Sequence, residues 1–334
     1  MPRQVLILSS PDDPHAVKVA AYLSALDANV AYWKFDSFVH DGQLNFGIAA
    51  DRRTFSLQYE GKILDVAAFE SIWFRRPGTI KSKQFFEAWV ATVIESEAEQ
   101  ALKGMLYSLP CLWVNFPMRH DASSLKLFQL EVAKKLGLAI PETVVTSDPK
   151  VALAFYEKHD GGVIYKLVTE KSNFYLPRFE FPHGIPTLPV RKADLAHFQQ
   201  VRHAPHLFQQ EIRKQSDIRV TVIGKKVFAF NIESQSGSGK LDWRTDYKVP
   251  MKACSLPDEI NQGCLNLLKR LGLNYGAIDF CLDQDGQYVF LEINSAGQYL
   301  WLEELTEVPL SYEMALLLSG KSDPLVTYEQ AAFA

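Results

Sequence analysis

A chain of 334 residues, 47% hydrophobic and 22% charged, has the composition of an ordinary globular protein long enough for two or three subdomains, and that composition excludes a wholly disordered chain. A net charge of −4 and a pI near 6.1 give no global attraction to nucleic acid or anionic membrane, so a site for a polyanion must be a local cluster of Lys and Arg. The opening "MPRQVLILSSPDD" is too short an apolar run for a signal peptide, no stretch approaches the ~18 apolar residues of a membrane span, and a cytoplasmic location is expected. Cys111, Cys254, Cys264 and Cys281 have no C-x-x-C spacing and read as buried thiols rather than disulfides or zinc ligands.

In chain order, "QVLILSS" reads as a strand, "DPHAVKVAAYLSALDANV" has helical apolar spacing and "AYWKF" is a second strand, a β-α-β opening. Further strands are expected near residues 44–48 and 55–57 and at "SIWFRRP", ahead of a long amphipathic helix over residues 82–108, and the first domain closes near Asn115. The stretch "LKLFQLEVAKKLGLAIPET" predicts a helix stopped by Gly137 and Pro141, followed by a helix near residues 149–159 and the strand "GVIYKLV". Residues 172–190, rich in Pro and aromatics, read as a hairpin or projecting loop. From Leu207 to the end strands are expected to dominate, interrupted by the Gly-Ser tract "SQSGSGKLDWR" and a helix near residues 258–271.

The most informative chemistry lies in "YGAIDFCLDQDGQYVFLEIN", residues 275–294. Its Val, Ile, Phe and Tyr content on both sides of "DQDG" predicts a hairpin. A turn at residues 283–286 makes Asp279 and Glu292 cross-strand neighbours and puts Asn294 on the same face as Glu292. Two adjacent, partly buried carboxylates repel unless a proton or a cation compensates. Oxygen-only ligation suits Mg²⁺, which takes few protein ligands and fills its shell with water and phosphate oxygens. In isolation the pattern is better read as two solvent-facing acids on an edge hairpin.

Its companions along the chain change that balance. Lys126 follows Pro117 in a predicted helix, Lys166 sits on "IYKLV", "FQQEI" ends an extended run and "DIRVTVIG" begins the next. This ordered set, ending in D…E-x-N, resembles the ATP-grasp superfamily across most of the chain. The resemblance implies an α+β ATP-grasp fold with an N-terminal pre-ATP-grasp α/β domain at residues 1–115. It further implies a central subdomain at 116–205 and a C-terminal, metal-bearing subdomain at 206–325. ATP would lie between the last two, with Mg²⁺ on Asp279, Glu292 and Asn294. Lys126 and Lys166 would clamp phosphates from opposite sides. The backbone of Gln210, Glu211 and Ile212 would read adenine, and Arg219 would face the transferring phosphoryl group. Single lysines on helices are ordinarily solvated and a lone "DIR" is ordinarily a surface ion pair, so the assignment rests on the whole series.

A narrower resemblance sits in "SIWFRRP", in "DWR" at residues 242–244 and in "LEINSAGQYLWLE", which are similar to the ribosomal-peptide maturases of the microviridin or graspetide type. That implies a ligase closing ω-ester or ω-amide rings in a precursor peptide with a leader and an acidic, Thr-rich core, and a homodimer. Members often read "EINPxGE"; here Ser295 and Gln298 replace the proline and the acid. Fixed cations must hold a substrate carboxylate beside the γ-phosphate, and Arg75, Arg76 and Arg244 are the candidates. Strand alternation admits only one of the adjacent pair, and the matching position favours Arg76. Leader recognition is assigned to Phe174, Tyr175, Phe179 and Phe181 as an apolar wall with Asp194 as a charged mark, against the plainer reading of Asp194 as a helix cap. Other readings are a ligase joining a free amino acid or amine to a carboxylate, a sugar- or inositol-type kinase, and a nucleotide-binding module without turnover.

Overall fold

The computed structural model describes residues 1–59, 61–169 and 186–333. The chain opens with β1 (Arg3–Leu8), the helix Pro14–Ala25 and β2 (Ala28–Trp33). The helix starts where it does because Asp13 accepts from the backbone N–H groups of His15 and Ala16 and Pro14 presets the first turn. Next come β3 (Gln43–Ile48), β4 (Arg53–Tyr59) and β5 (Lys62–Asp65), an antiparallel three-stranded sheet. Then β6 (Ser71–Phe74) and β7 (Leu112–Val114) complete a parallel sheet of order β2-β1-β6-β7. Strand order reverses at β1 and β6, so the segments leaving their carboxyl ends, Ser9 to His15 and Arg75 to Arg76, share one crevice. The long helix runs Ala88–Tyr107 and not from residue 82, because Ser82 instead turns to donate its N–H to Glu95 Oε1 and its Oγ–H to the Ala91 carbonyl.

A second sheet, of order β10-β9-β11-β8, consists of β8 (Thr143–Thr146), β9 (Val163–Lys166), β10 (Leu188–Pro189) and β11 (His206–Gln210). Since β11 pairs with both β8 and β9, this sheet extends past residue 205, where a division was expected. A third sheet, antiparallel and of order β14-β13-β12-β15-β16, consists of β12 (Lys214–Ile223), β13 (Lys226–Ile232), β14 (Met251–Cys254), β15 (Tyr275–Asp283) and β16 (Tyr288–Asn294). The helix Asp258–Leu271 packs on it and ends at Gly272, whose φ of 74° is the left-handed conformation glycine adopts without cost.

Strands do not dominate to the end of the chain. Beyond Asn294 the regular elements are the helices Leu300–Thr306, Leu310–Leu318 and Tyr328–Phe333. Met314, Ala315, Leu317 and Leu318 are buried against Val5, Ile7, Val19 and Leu23 of the first domain. Each fully buried Leu or Met of this kind contributes roughly 2 kcal/mol. The end of the chain therefore returns to cover the first sheet.

Candidate active site

The site is assembled on a row that crosses three strands. Arg219 on β12 lies opposite Asp279 on β15, which lies opposite Glu292 on β16. The hairpin turn alone does not produce this pairing. From the turn, Leu282 faces Tyr288 and Phe280 faces Phe290, a register in which Asp279 would meet Leu291; a bulge between Asp279 and Phe280 shifts it by one and brings Glu292 across. Phe280 and Phe290 stay in the core while both acids face the cleft.

Cations close on this row from three directions. Arg219 Nη1 lies 2.6 Å from Asp279 Oδ2, and Lys126 Nζ lies 2.6 Å from Glu292 Oε2. Lys126 opens the helix Lys126–Lys135, which is fixed to β16 through buried Gln129: its Nε2 donates to the Ile293 carbonyl and its Oε1 accepts from the Ile293 N–H. Arg244 pairs two-pronged with Asp242, at 2.9 and 2.8 Å, and points Nη1 at Glu292 Oε1 from 3.7 Å. Lys166 ends β9 on the opposite wall. Burial pushes the Glu292 carboxyl up, but Lys126, Arg244 and Lys166 outweigh it and hold it well below the usual range. Burial raises Asp279, Arg219 pulls it down and the Glu292 charge adds to the rise. Burial likewise lowers Lys166, against the attraction of Glu292.

Asp279, Glu292, Asp242, Arg244 and Lys166 line a cleft between the second and third sheets, and Arg219 and Lys126 bond to Asp279 and Glu292 respectively. Gln210, Glu211 and Ile212 form one edge of it. The N–H groups of Gln210 and Glu211 donate to the carbonyls of Glu142 and Gly162, so the strand end is held in place by neighbours. Lys214, Asp217, Cys281 and Leu291 also line the cleft and were not anticipated. Lys214 Nζ reaches Asp217 Oδ1 at 2.7 Å. Three residues apart on a flat strand they would face opposite ways; the bulge between Lys214 and Ser216 brings them together.

The donor set suits a hard divalent cation. Asp279 Oδ1 is buried without a hydrogen-bond partner among the described residues, Glu292 lies directly across, and Asn294 follows on the same face while its Oδ1 accepts from the Ala296 N–H. Among the described residues no three His, Cys, Asp or Glu side chains gather as a metal site. Two carboxylates and an amide oxygen, however, match the few ligands Mg²⁺ takes from proteins.

Other expected residues fall elsewhere. Of the two adjacent arginines, Arg75 is the buried one and donates to the Ala296 carbonyl at 2.8 Å, whereas Arg76 is exposed at the end of the first sheet. Ser295 Oγ meets His120 Nδ1 at 2.9 Å, and the exposed Gln298 offers its carbonyl to Arg219 Nη2. Asp194 Oδ2 accepts from the Arg191 N–H at 2.7 Å, the capping geometry. Phe174, Tyr175, Phe179 and Phe181 lie outside the described residues.

Residues 4–121 match the family model described as the MvdD pre-ATP grasp domain. The structure is similar to that of a RiPP-associated ATP-grasp ligase from Chryseobacterium gregarium in complex with ADP and a leader and core peptide, with 29% identity, 98% of this chain and 99% of that one covered, and a TM-score of 0.89. It is also similar to the macrocyclase MdnC of Microcystis aeruginosa MRC bound with precursor peptide MdnA, with 26% identity, 96% and 100% coverage, and a TM-score of 0.84. A D-alanine–D-alanine ligase of Dechloromonas aromatica (strain RCB) is 28% identical over 171 residues, 48% of this chain and 53% of that protein. The matches span 35% to 53% of the length of such curated relatives.

Sheet pairing, the two-walled cationic cleft and the pre-ATP-grasp match together define an ATP-grasp fold with an N-terminal pre-ATP-grasp domain. Within that class the chain is similar from end to end to the maturases of ribosomal peptides, of the microviridin or graspetide type.

Proposed function

We propose that the protein is an ATP-dependent peptide macrocyclase. It phosphorylates an Asp or Glu side chain of a ribosomally made precursor, and a Thr or Ser hydroxyl, or a Lys amine, attacks the acyl phosphate to give an ester or amide ring with release of ADP and phosphate. The observation that carries this reading is the convergence of Lys126, Lys166, Arg219 and Arg244 on the Asp279 and Glu292 pair in one cleft. Such a surplus of fixed cations suits a triphosphate together with a second anion, the substrate carboxylate. End-to-end similarity to a ligase holding ADP, leader and core supports the peptide substrate.

In this reading Lys126 and Lys166 hold phosphates from opposite walls, and the backbone of Gln210, Glu211 and Ile212 holds adenine. Lys166, whose ammonium burial disfavours, keeps its proton more firmly beside a phosphate. Asp279, Glu292 and Asn294 would hold Mg²⁺, which neutralises phosphate charge when bound. Arg219 and Arg244 orient the γ-phosphate and the reacting carboxylate, with Arg76 open to the substrate at the mouth of the first domain. The leader is assigned to residues Phe174, Tyr175 and Phe179 with Asp194, and the enzyme to the cytoplasm as a homodimer. Among the described residues no helix is long and apolar enough to cross a membrane.

The test is incubation with Mg·ATP and the precursor encoded in an adjoining reading frame, read by mass spectrometry and ADP release. Loss of one water per ring with stoichiometric ADP is expected. A product retaining a stable phosphate would make the protein a kinase, and a melting shift with Mg·ATP but no ADP would make it a binder.

A further inference from the structure

The loop that follows the carboxylate strand, residues 295–300, has its backbone held almost atom by atom by side chains from elsewhere. Asn115 Nδ2 donates to the Ser295 carbonyl at 2.9 Å, Arg75 Nη1 to the Ala296 carbonyl at 2.8 Å, and the Tyr275 hydroxyl to the Gly297 carbonyl at 2.6 Å. Arg219 Nη2 reaches the Gln298 carbonyl at 3.4 Å. Gly297 permits this approach, since a Cβ there would come within 2.8 Å of Arg219 Nη2 and 2.5 Å of the Ala277 Cβ. The guanidinium that pairs with Asp279 is thus braced by this loop on its other side.

Most of these holders donate to the loop; His15 accepts from it. Its Nε2 accepts from the consecutive N–H groups of Tyr299 and Leu300, both at 3.1 Å, where the helix Leu300–Thr306 begins and its first donors need partners. Accepting twice leaves Nε2 without a proton, so the neutral ring carries it on Nδ1, which faces Asp13 Oδ1 at 3.6 Å. The same carboxylate faces Arg75 Nε at 3.6 Å. Asp13 therefore sits between the residue that takes the loop's N–H groups and the residue that gives to its carbonyl. His15 is buried in an edge-on ring pair with Tyr299, and among the described residues none of its hydrogen-bond, ion-pair or ring partners lines the cleft.

We infer that His15 is a positioning residue: from the first domain it anchors Tyr299 and Leu300, and through Gln298 and Gly297 it sets where Arg219 stands beside Asp279. It touches neither nucleotide nor peptide. Its charge state belongs to the device, because a proton on Nε2 would turn the acceptor into a donor facing two N–H donors. The charged and titratable groups facing the ring are Asp13 from its own segment, Arg75 and Arg76 from the end of β6, and Tyr299 from the anchored segment. Burial and the two arginines favour the neutral ring, and Asp13 opposes them.

The kinetic arm rests on the proposed reaction; the structural arm does not. Amide hydrogen exchange on the full chain should show the segment from Ala296 to Leu300 exchanging about 10-fold faster in His15→Leu, which leaves two N–H groups unpaired, while the amides of β12 and β15 keep wild-type protection. His15→Gln, which retains an acceptor, should restore most of that protection. ADP formation from Mg·ATP with the adjoining-frame precursor should lose about 10-fold in kcat in His15→Leu, with little change in KM for ATP and recovery in His15→Gln. Combined with Arg219→Lys, the losses should overlap rather than multiply. An acid limb in kcat should be present in wild type and absent in His15→Gln. Unchanged exchange in His15→Leu overturns the anchoring; faster exchange with unchanged kcat, or losses that multiply with Arg219→Lys, overturns the positioning role. If the wild type forms no ADP with the precursor the proposed reaction fails, and the exchange measurement still decides the anchoring.

Discussion

Glu292 faces three cations together, Lys126, Arg244 and Lys166. Its folded-state pKa is depressed below the ordinary 4.5, so it stabilises the fold above that pH and the contribution is lost as pH falls through the folded value. Asp279, raised by burial, works in the opposite sense. Replacing Glu292 by Gln should leave a folded protein whose melting temperature falls less steeply below pH 4.5 than that of wild type, and whose ADP formation drops by about 100-fold or more. Wild-type turnover in that variant would remove Glu292 from the chemistry. Lys126→Ala should raise the Mg·ATP dissociation constant by about 10-fold, the scale of a lost charged hydrogen bond; calorimetry with unchanged affinity would refute the phosphate role. Arg219→Lys keeps the charge but cannot reach both Asp279 and the Gln298 carbonyl. Turnover should fall while ATP affinity holds, and near-normal cyclisation would show that the planar fork is dispensable.

At the scale of elements, the placement of Lys126 depends on a helix stitched to a strand by one side chain. Gln129 is buried, gives Nε2 to the carbonyls of Ser123 and Ile293, and takes the Ile293 N–H. Gln129→Leu has similar size but strands those backbone groups away from water. It should cost about 1–3 kcal/mol, read as a lower denaturation midpoint with unchanged slope. A midpoint equal to wild type would mean the helix is held by its apolar face alone. The elements themselves were largely legible: "QVLIL" and "GVIYKLV" hold strands where their apolar runs predict them, and the residue 258–271 helix buries one face at helical spacing. The bulges were not. Nothing local in "VFLEIN" announces that Leu291 will be passed over so that Glu292 meets Asp279, because register is settled by two strands competing to bury Phe280 and Phe290. The Asp194 cap belongs to the same class: its position at a helical start was visible, but its partner, the Arg191 N–H, was not.

The whole molecule departs most from a reading by contiguous segments. Val5, Ile7, Val19 and Leu23 of the first domain are covered by the helix Leu310–Leu318, and Val326 and Ala331 join the core on the other face of the same sheet with Leu6, Leu8 and Trp113. Residues 1–121 expressed alone should therefore fail to unfold cooperatively and should bind hydrophobic dye; a fragment with dispersed amide resonances and a sharp thermal transition would contradict this. Sequence by itself determined the ordered lysines, the "DIR" strand and the D…E-x-N hairpin, since alternation, turn residues and charge are written within a few neighbours. Tertiary structure alone decided that Arg75 rather than Arg76 is buried under the loop after Asn294 and that His15 reaches Tyr299 and Leu300 across 284 and 285 residues. Those contacts join segments far apart in the chain, and only the packing of one sheet against another brings them within a bond's length.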